Sequence, residues 1–310
     1  MPTVSRRDLL AASAGLAVTA VVPSMSKAKT PPESPFGISL NTSTIRGQKL
    51  PITEVVDLAA KAGYDAVEPW LGELQDFVKK GGDLKDLGKR IADAGLAVPS
   101  SIGFAKWIVD DAGVRKQGLD EAKRDMEMVL AIGGKRIAAP PAGATDQGNL
   151  DLHAVADRYR ALAEVGAKIG IIPEVEVWGF SKSLSKLGET VQVAMESGHP
   201  QACVLPDIYH LYKGGSGFDG LKFLQGKAVG IFHVNDYPKD KDPKTIKDAD
   251  RVFPGDGVAP LTEVLRTLVS IGYKGFLSLE LFNPEYWKRD AFEVLKEGLA
   301  KTKAVVKAAM

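Results

Sequence analysis

Ile171-Ile172-Pro173-Glu174-Val175-Glu176-Val177-Trp178 is a short β-branched run in which valine alternates with glutamate. Such a run reads as a strand with both acids on one face. A helical pattern over residues 152–165 precedes it and stops at Gly166; another over residues 183–197 follows and stops at Gly198. Glycine just past the last periodic residue is the expected helix stop. The unit is therefore helix, strand, helix, with the strand's acids pointing one way.

Working outward, the same unit recurs. Further strands are predicted at residues 36–40, 66–68, 97–102, 136–139, 203–207, 229–234 and 275–281. The helices between them are predicted at residues 52–62, 84–94, 119–132, 261–271 and 290–306, with a weaker one at 218–224. Val55, Leu58, Ala59 and Ala62 show the i, i+3, i+4 spacing of a one-sided helix. Alternating strands and helices imply parallel pairing with right-handed crossovers. Eight such units predict an α/β fold, a (β/α)8 TIM barrel, as one domain over residues 36–310. A doubly wound sheet is the alternative. It would want a glycine-rich loop after the first strand, where Asn41-Thr42-Ser43-Thr44 stands.

The bulk composition narrows the function. The chain has 310 residues, 45% hydrophobic and 25% charged, with net charge +1, so it offers no basic field to nucleic acid. Its single cysteine, Cys203, excludes an internal disulfide framework and a thiolate zinc cluster, and reads as a small buried hydrophobe. At the N-terminus, Ser5-Arg6-Arg7-Asp8-Leu9-Leu10 opens an apolar run to Val22, with Ser26-Lys27-Ala28 as a cleavage site. This reads as a twin-arginine-type signal over residues 1–28 and a linker over 29–35. The expected consequence is folded export through the twin-arginine machinery to the periplasm or beyond, with no stable membrane span after processing; the run is short for one.

Barrel chemistry sits at the C-terminal ends of the strands. There the sequence places Glu174 and Glu176, then Asp207 and His210, then His233, then Glu280. Four consecutive strands thus bring a metal-capable group to one rim. Such a set, mostly oxygen with one imidazole, favours Mn2+, Co2+ or Mg2+, with Zn2+ as an option. Glu176 lies nearer the rim than Glu174 and is the expected ligand; reversed roles remain an alternative. Trp70, Phe104, Trp107 and Trp178 follow strand ends and could pack against sugar C–H faces, while Glu68 and Asn41 could bond a hydroxyl or anchor a loop.

Around these residues the sequence resembles the sugar phosphate isomerase/epimerase family, the xylose isomerase-like TIM barrels. The carrying stretches are Glu176-Val177-Trp178-Gly179-Phe180-Ser181, Asp207-Ile208-Tyr209-His210, His233-Val234-Asn235-Asp236, Arg251-Val252-Phe253-Pro254-Gly255-Asp256-Gly257 and Ser278-Leu279-Glu280. The resemblance implies one divalent ion on Glu176, Asp207, His233 and Glu280, with Glu176 and Glu280 also moving protons. It implies that His210 and Arg251 contact a small sugar substrate, and Glu68, Trp107 and Trp178 are expected to help. The implied reaction is isomerisation or epimerisation through an enediolate. A lyase or dehydratase on a 3-keto-glycoside or inosose is the first alternative, and a non-catalytic sugar-binding barrel the second. The export signal departs from what a cytosolic sugar-phosphate enzyme needs.

Overall fold

The computed structural model describes residues 34–310. The signal read at 1–28 and most of the linker read at 29–35 lie outside them.

Among the described residues seven strands form ladders, all parallel: β1 (Gly37–Asn41), β2 (Ala66–Glu68), β3 (Arg136–Ala139), β4 (Ile172–Glu176), β5 (Cys203–Leu205), β6 (Phe232–Val234) and β7 (Phe276–Leu279). They run in two arcs, β2-β1-β7-β6 and β3-β4-β5. Two seams join the arcs into a ring. At one, the extended segment 97–102 bonds to both neighbours: Val67 N donates to Ala97 O, Ile102 N to Pro69 O, and Ala138 N to Ser101 O. At the other, Gly230 N donates to Val204 O and His233 N to Pro206 O. The eighth place is thus filled by a segment expected as a strand but held by isolated bridges rather than a ladder. Pro99 within it lacks an N–H to donate, which interrupts pairing.

Among the described residues ten α-helices surround the strands: α1 (Ile52–Ala62), α2 (Leu71–Lys79), α3 (Leu84–Asp93), α4 (Ala112–Ala131), α5 (Leu152–Ile169), α6 (Leu187–Glu196), α7 (Ile208–Lys213), α8 (Leu261–Ser270), α9 (Pro284–Trp287) and α10 (Ala291–Ala309). α10 packs between α1 and α8, closing the outer layer. Two apolar cores follow. The large one fills the shell between strands and helices. The small one, Ile102, Ala138, Leu205 and Ile231, lies inside the ring with Trp70 and Phe276 packed on it. Among the described residues no helix is long and apolar enough to cross a membrane.

Some elements depart from expectation. α4 starts seven residues before the predicted helix, because Asp111 caps it by accepting from Val114 N. α6 is shorter than the predicted 183–197, since residues 178–186 fold back in turns over the barrel mouth. The weak helix at 218–224 is one 3-10 turn, Asp219–Phe223. Three helices, α2, α7 and α9, were not expected.

Candidate active site

Register decides which side chains meet inside the ring. Asn41 stands level with Glu68, Ser278 with His233, and Glu176 with Leu205. Asp207, two residues beyond β5, bridges to His233. Each of these polar side chains is at most 3% exposed. Asp207, His233 and Glu280 each offer a ligand atom, all within 4.8 Å of one another. Their approach is not hydrogen bonding. His233 Nδ1 lies 3.2 Å from Glu280 Oε2 and 3.6 Å from Asp207 Oδ2, yet makes no hydrogen bond to either.

The imidazole is aimed from behind. His233 Nε2 lies 3.0 Å from Glu68 Oε2, and that carboxylate also accepts from Ser278 Oγ (2.6 Å) and Asn41 Nδ2 (2.9 Å). A carboxylate on the far nitrogen fixes a ligating histidine's orientation. Glu68 was expected at the substrate. It is instead fully buried with both oxygens engaged, so it holds His233.

Asp207 works at both oxygens. Oδ1 accepts from His210 N at 2.9 Å and caps α7, while Oδ2 faces Arg251 Nη1 at 3.0 Å. Arg251 Nη1 also donates to Glu280 Oε2 at 2.8 Å, and Nη2 to Asp248 Oδ1 at 2.6 Å. The guanidinium stacks 4.2 Å from the Tyr209 ring. Burial works against the charge on Asp207, but Arg251, His210 and His233 override it and hold the carboxyl well below its usual range. Glu280 is likewise lowered against burial by His233 and Arg251.

Glu176 differs. It belongs to the same charge cluster, feeling His233, Glu280 and Asp207, but burial pushes its pKa up to about 8. Its Oε2 has no hydrogen-bond partner. It stands outside the closest three-group set. Glu174, two residues earlier, lies deeper: its Oε2 accepts from Ile231 N at 2.7 Å, and Arg136 is the charge it feels most.

Buried lone pairs with no hydrogen-bond partner, on His233 Nδ1 and Glu176 Oε2 beside further carboxylates, are what a bound cation would satisfy. The donor set of two ionised carboxylates and an aimed imidazole fits a divalent ion.

Above this polar floor lies an aromatic arc. Trp70 meets Phe104 (5.1 Å) and Phe282 (5.8 Å); Phe104 meets Trp178 (6.0 Å), Trp178 meets Phe180 (5.0 Å), and Phe180 meets His210 (5.7 Å). Burial pushes His210 down to about 4, so the ring is neutral, and its Nδ1 accepts from Gly179 N. Trp178, expected at the substrate, stands in the arc. Trp107 is not: it is 1% exposed, donates from Nε1 to Pro140 O and packs edge-on against Tyr159 in the outer core.

Three supporting residues escaped the sequence reading. Asn235 Nδ2 reaches both Asp207 oxygens (3.2 and 3.3 Å) while its Oδ1 accepts from Tyr209 N. Asp236 accepts from the N–H groups of Tyr237, Gly255, Gly257 and Ala259, folding the loop that delivers Arg251. A side chain at Gly257 would strike Asp236 Oδ1, so glycine is required there. Arg46 sits over Trp70. Asn235 and Asp236 stood in the family-like stretch after His233 without a role of their own, and Arg46 had no signal.

Fold and site together define a TIM barrel with a candidate single-ion centre at the C-terminal rim. Comparison with known proteins places it further: residues 56–299 match the model of the xylose isomerase-like TIM barrel, and the chain belongs to that family. An inosose isomerase of Bacillus velezensis is 28% identical over 81% of this chain and 90% of its own length. A 3-dehydroshikimate dehydratase of Pseudomonas putida is 23% identical over 75% of this chain, which spans only 36% of that longer protein. A solved structure of IOLI protein with a binding zinc atom superposes with a TM-score of 0.82 at 23% identity, covering 89% of this chain and 99% of that one. These relatives are enzymes, an isomerase and a dehydratase.

Proposed function

We propose that this protein is a divalent-metal-dependent sugar isomerase or epimerase that moves a proton on a carbon beside a carbonyl. The observation that carries the reading is the partnerless Nδ1 of His233 between two ionised carboxylates, with a proton-prone Glu176 beside them. Asp207, His233 and Glu280 would hold the ion, with Glu176 completing the set. The oxygen-rich donors suit Mn2+, Co2+ or Mg2+, and the zinc of the IOLI structure keeps Zn2+ in the set. When bound, such an ion polarises a substrate carbonyl and acidifies the neighbouring C–H.

The chain's own residues do the rest. Glu176, with a pKa near working pH and a free oxygen, is suited to take and return a proton. Glu280 is kept ionised by His233 and Arg251 and offers a second carboxylate. Arg251 ties Asp207 to Glu280, so the two acids keep their separation while charge shifts. The aromatic arc offers apolar faces to sugar C–H groups. The test is a panel of inososes and ketoses incubated in deuterated water with metal-loaded protein. Gain of one deuterium at constant connectivity, absent without metal, supports the reading; no exchange with any keto-sugar sinks it. A second reading, dehydratase action at the same site, is favoured by the Pseudomonas relative. Loss of water from the product mass would select it.

Export is also proposed, on Arg6-Arg7 and the apolar run after them. Replacing both arginines by lysine is expected to leave the chain in the cytoplasm on fractionation; unchanged export would remove this reading.

A further inference from the structure

Resting on that reading, we propose that Arg46 recognises an anionic group, carboxylate or phosphate, at the end of the substrate remote from the reacting carbonyl. The site would then prefer sugar acids to their neutral counterparts.

The case begins with an unused cation. Arg46 lies in the turn Thr42–Gln48 that follows β1 at the mouth. Its guanidinium carbon is 3.6 Å from the centre of the Trp70 ring and 5.8 Å from that of Phe282. Among the described residues, none of its N–H groups has a hydrogen-bond or ion-pair partner. The other arginine at the mouth is spent: Arg251 is shared among Asp207, Glu280 and Asp248. Glu73, a carboxylate near Arg46, is engaged by Thr42 Oγ1 (2.6 Å) and Trp70 N (3.0 Å). Burial depresses the Arg46 pKa while Glu73 and Glu280 oppose that, so it lies within the field of a candidate metal ligand.

The segment carrying Arg46 is fastened on both flanks. Asn41 Oδ1 accepts from Ser43 N, Thr44 Oγ1 donates to Leu279 O, Trp287 Nε1 donates to Ser43 O, and Gln48 Nε2 donates to Tyr286 O. The aromatic plate beneath is tied to the centre: Trp70 Nε1 donates to Asn41 Oδ1 (2.8 Å), and Asn41 Nδ2 donates to Glu280 Oε1 (3.1 Å). The guanidinium thus rests on a ring that is itself two hydrogen bonds from Glu280. A planar guanidinium fork matches a carboxylate or phosphate in shape and charge. A sugar chelated at the carboxylates and lying along the arc would bring its far end to this fork.

The experiment uses metal-loaded full-length protein and isothermal titration with glucose, glucuronate and glucose 6-phosphate, for wild type and Arg46→Gln. An anion held by a desolvated arginine is expected to gain about tenfold or more over glucose. That gain should shrink with added salt and vanish in Arg46→Gln. Which anion gains identifies carboxylate or phosphate. Equal binding of all three ligands, no binding of either anion, or a preference that survives Arg46→Gln overturns the assignment. Metal content and deuterium exchange on the same preparations separate the two readings. Metal-dependent exchange on a neutral keto-sugar without anion preference sinks Arg46 alone; absent metal and exchange sink the proposed function, and the preference is then scored on the metal-free chain.

Discussion

Glu174 and Glu176 stand on one strand, face the same way and are both buried, yet they serve opposite halves of the barrel interior. Glu176 is level with Leu205 and shares its surroundings with His233, Glu280 and Asp207. Glu174 is level with Cys203 and pins the backbone of Ile231 near Arg136. Its carboxylate fits there because residue 230 is glycine: a Cβ would come within 1.9 Å of Oε2. Each glutamate keeps one oxygen without a hydrogen-bond partner, but in the upper half that oxygen belongs to a cluster with Asp207, His233 and Glu280, whereas in the lower half the other oxygen of Glu174 is bonded to the backbone of Ile231. Strand periodicity sets the face, and only what the other strands bring to the same height sets the role.

The largest effects should come from the upper half. His233→Ala and Asp207→Asn are expected to abolish stoichiometric metal binding, read by elemental analysis of protein purified without chelator. Asparagine retains the Oδ1 cap of α7, whereas Asp207→Ala also loses that cap and should cost about 1–2 kcal/mol more stability, Arg251 keeping Glu280 and Asp248. Retained metal in both His233→Ala and Asp207→Asn would remove the centre. Next in size, Glu176→Gln should slow turnover by roughly a hundred- to ten-thousand-fold with the fold intact. Glu174→Gln should leave turnover within a few-fold. Equal losses in the two variants would erase the distinction between the halves.

Much of this was readable from spacing. The positions of β1 to β7, the rim location of Glu176, Asp207, His233 and Glu280, and the family resemblance all follow from residue order. What was not readable is three-dimensional company. Asp207 could be taken as a helix cap or as a ligand; it caps α7 with one oxygen and offers the other to the centre, and α7 is too short to show a period. Trp107 comes five residues after Ile102, far enough for its ring to turn outward against Tyr159. Glu68 ends β2 as a substrate-binding residue would, but Ser278 and Asn41 arrive from β7 and β1 to occupy it.

Glu68 sharpens the comparison at intermediate size, since it is in the upper half but one step behind it. Glu68→Gln keeps a group able to accept from Ser278 but weakens the pull on His233 Nε2. Metal affinity, measured by competition with a chelator, should fall about 10–100-fold. Unchanged affinity would mean that His233 is oriented by packing alone.

The smallest effect on turnover, and the clearest on stability, belongs to Glu174. Burial raises its pKa from the ordinary 4.5 to about 7, with Arg136 only partly opposing. A carboxyl whose folded value is raised binds its proton more tightly in the native state. Its contribution is therefore complete below pH 4.5 and is lost as pH rises through 7. A shift of that size corresponds to about 3 kcal/mol. Glu174→Gln keeps an acceptor for Ile231 N–H and removes the ionisation. The variant should match wild type near pH 4.5 and become the more stable of the two by pH 8, in parallel denaturant titrations. If the difference between the two proteins does not change between those pH values, Arg136 fully compensates the Glu174 charge, and the lower half of the barrel holds an ion pair rather than a protonated acid.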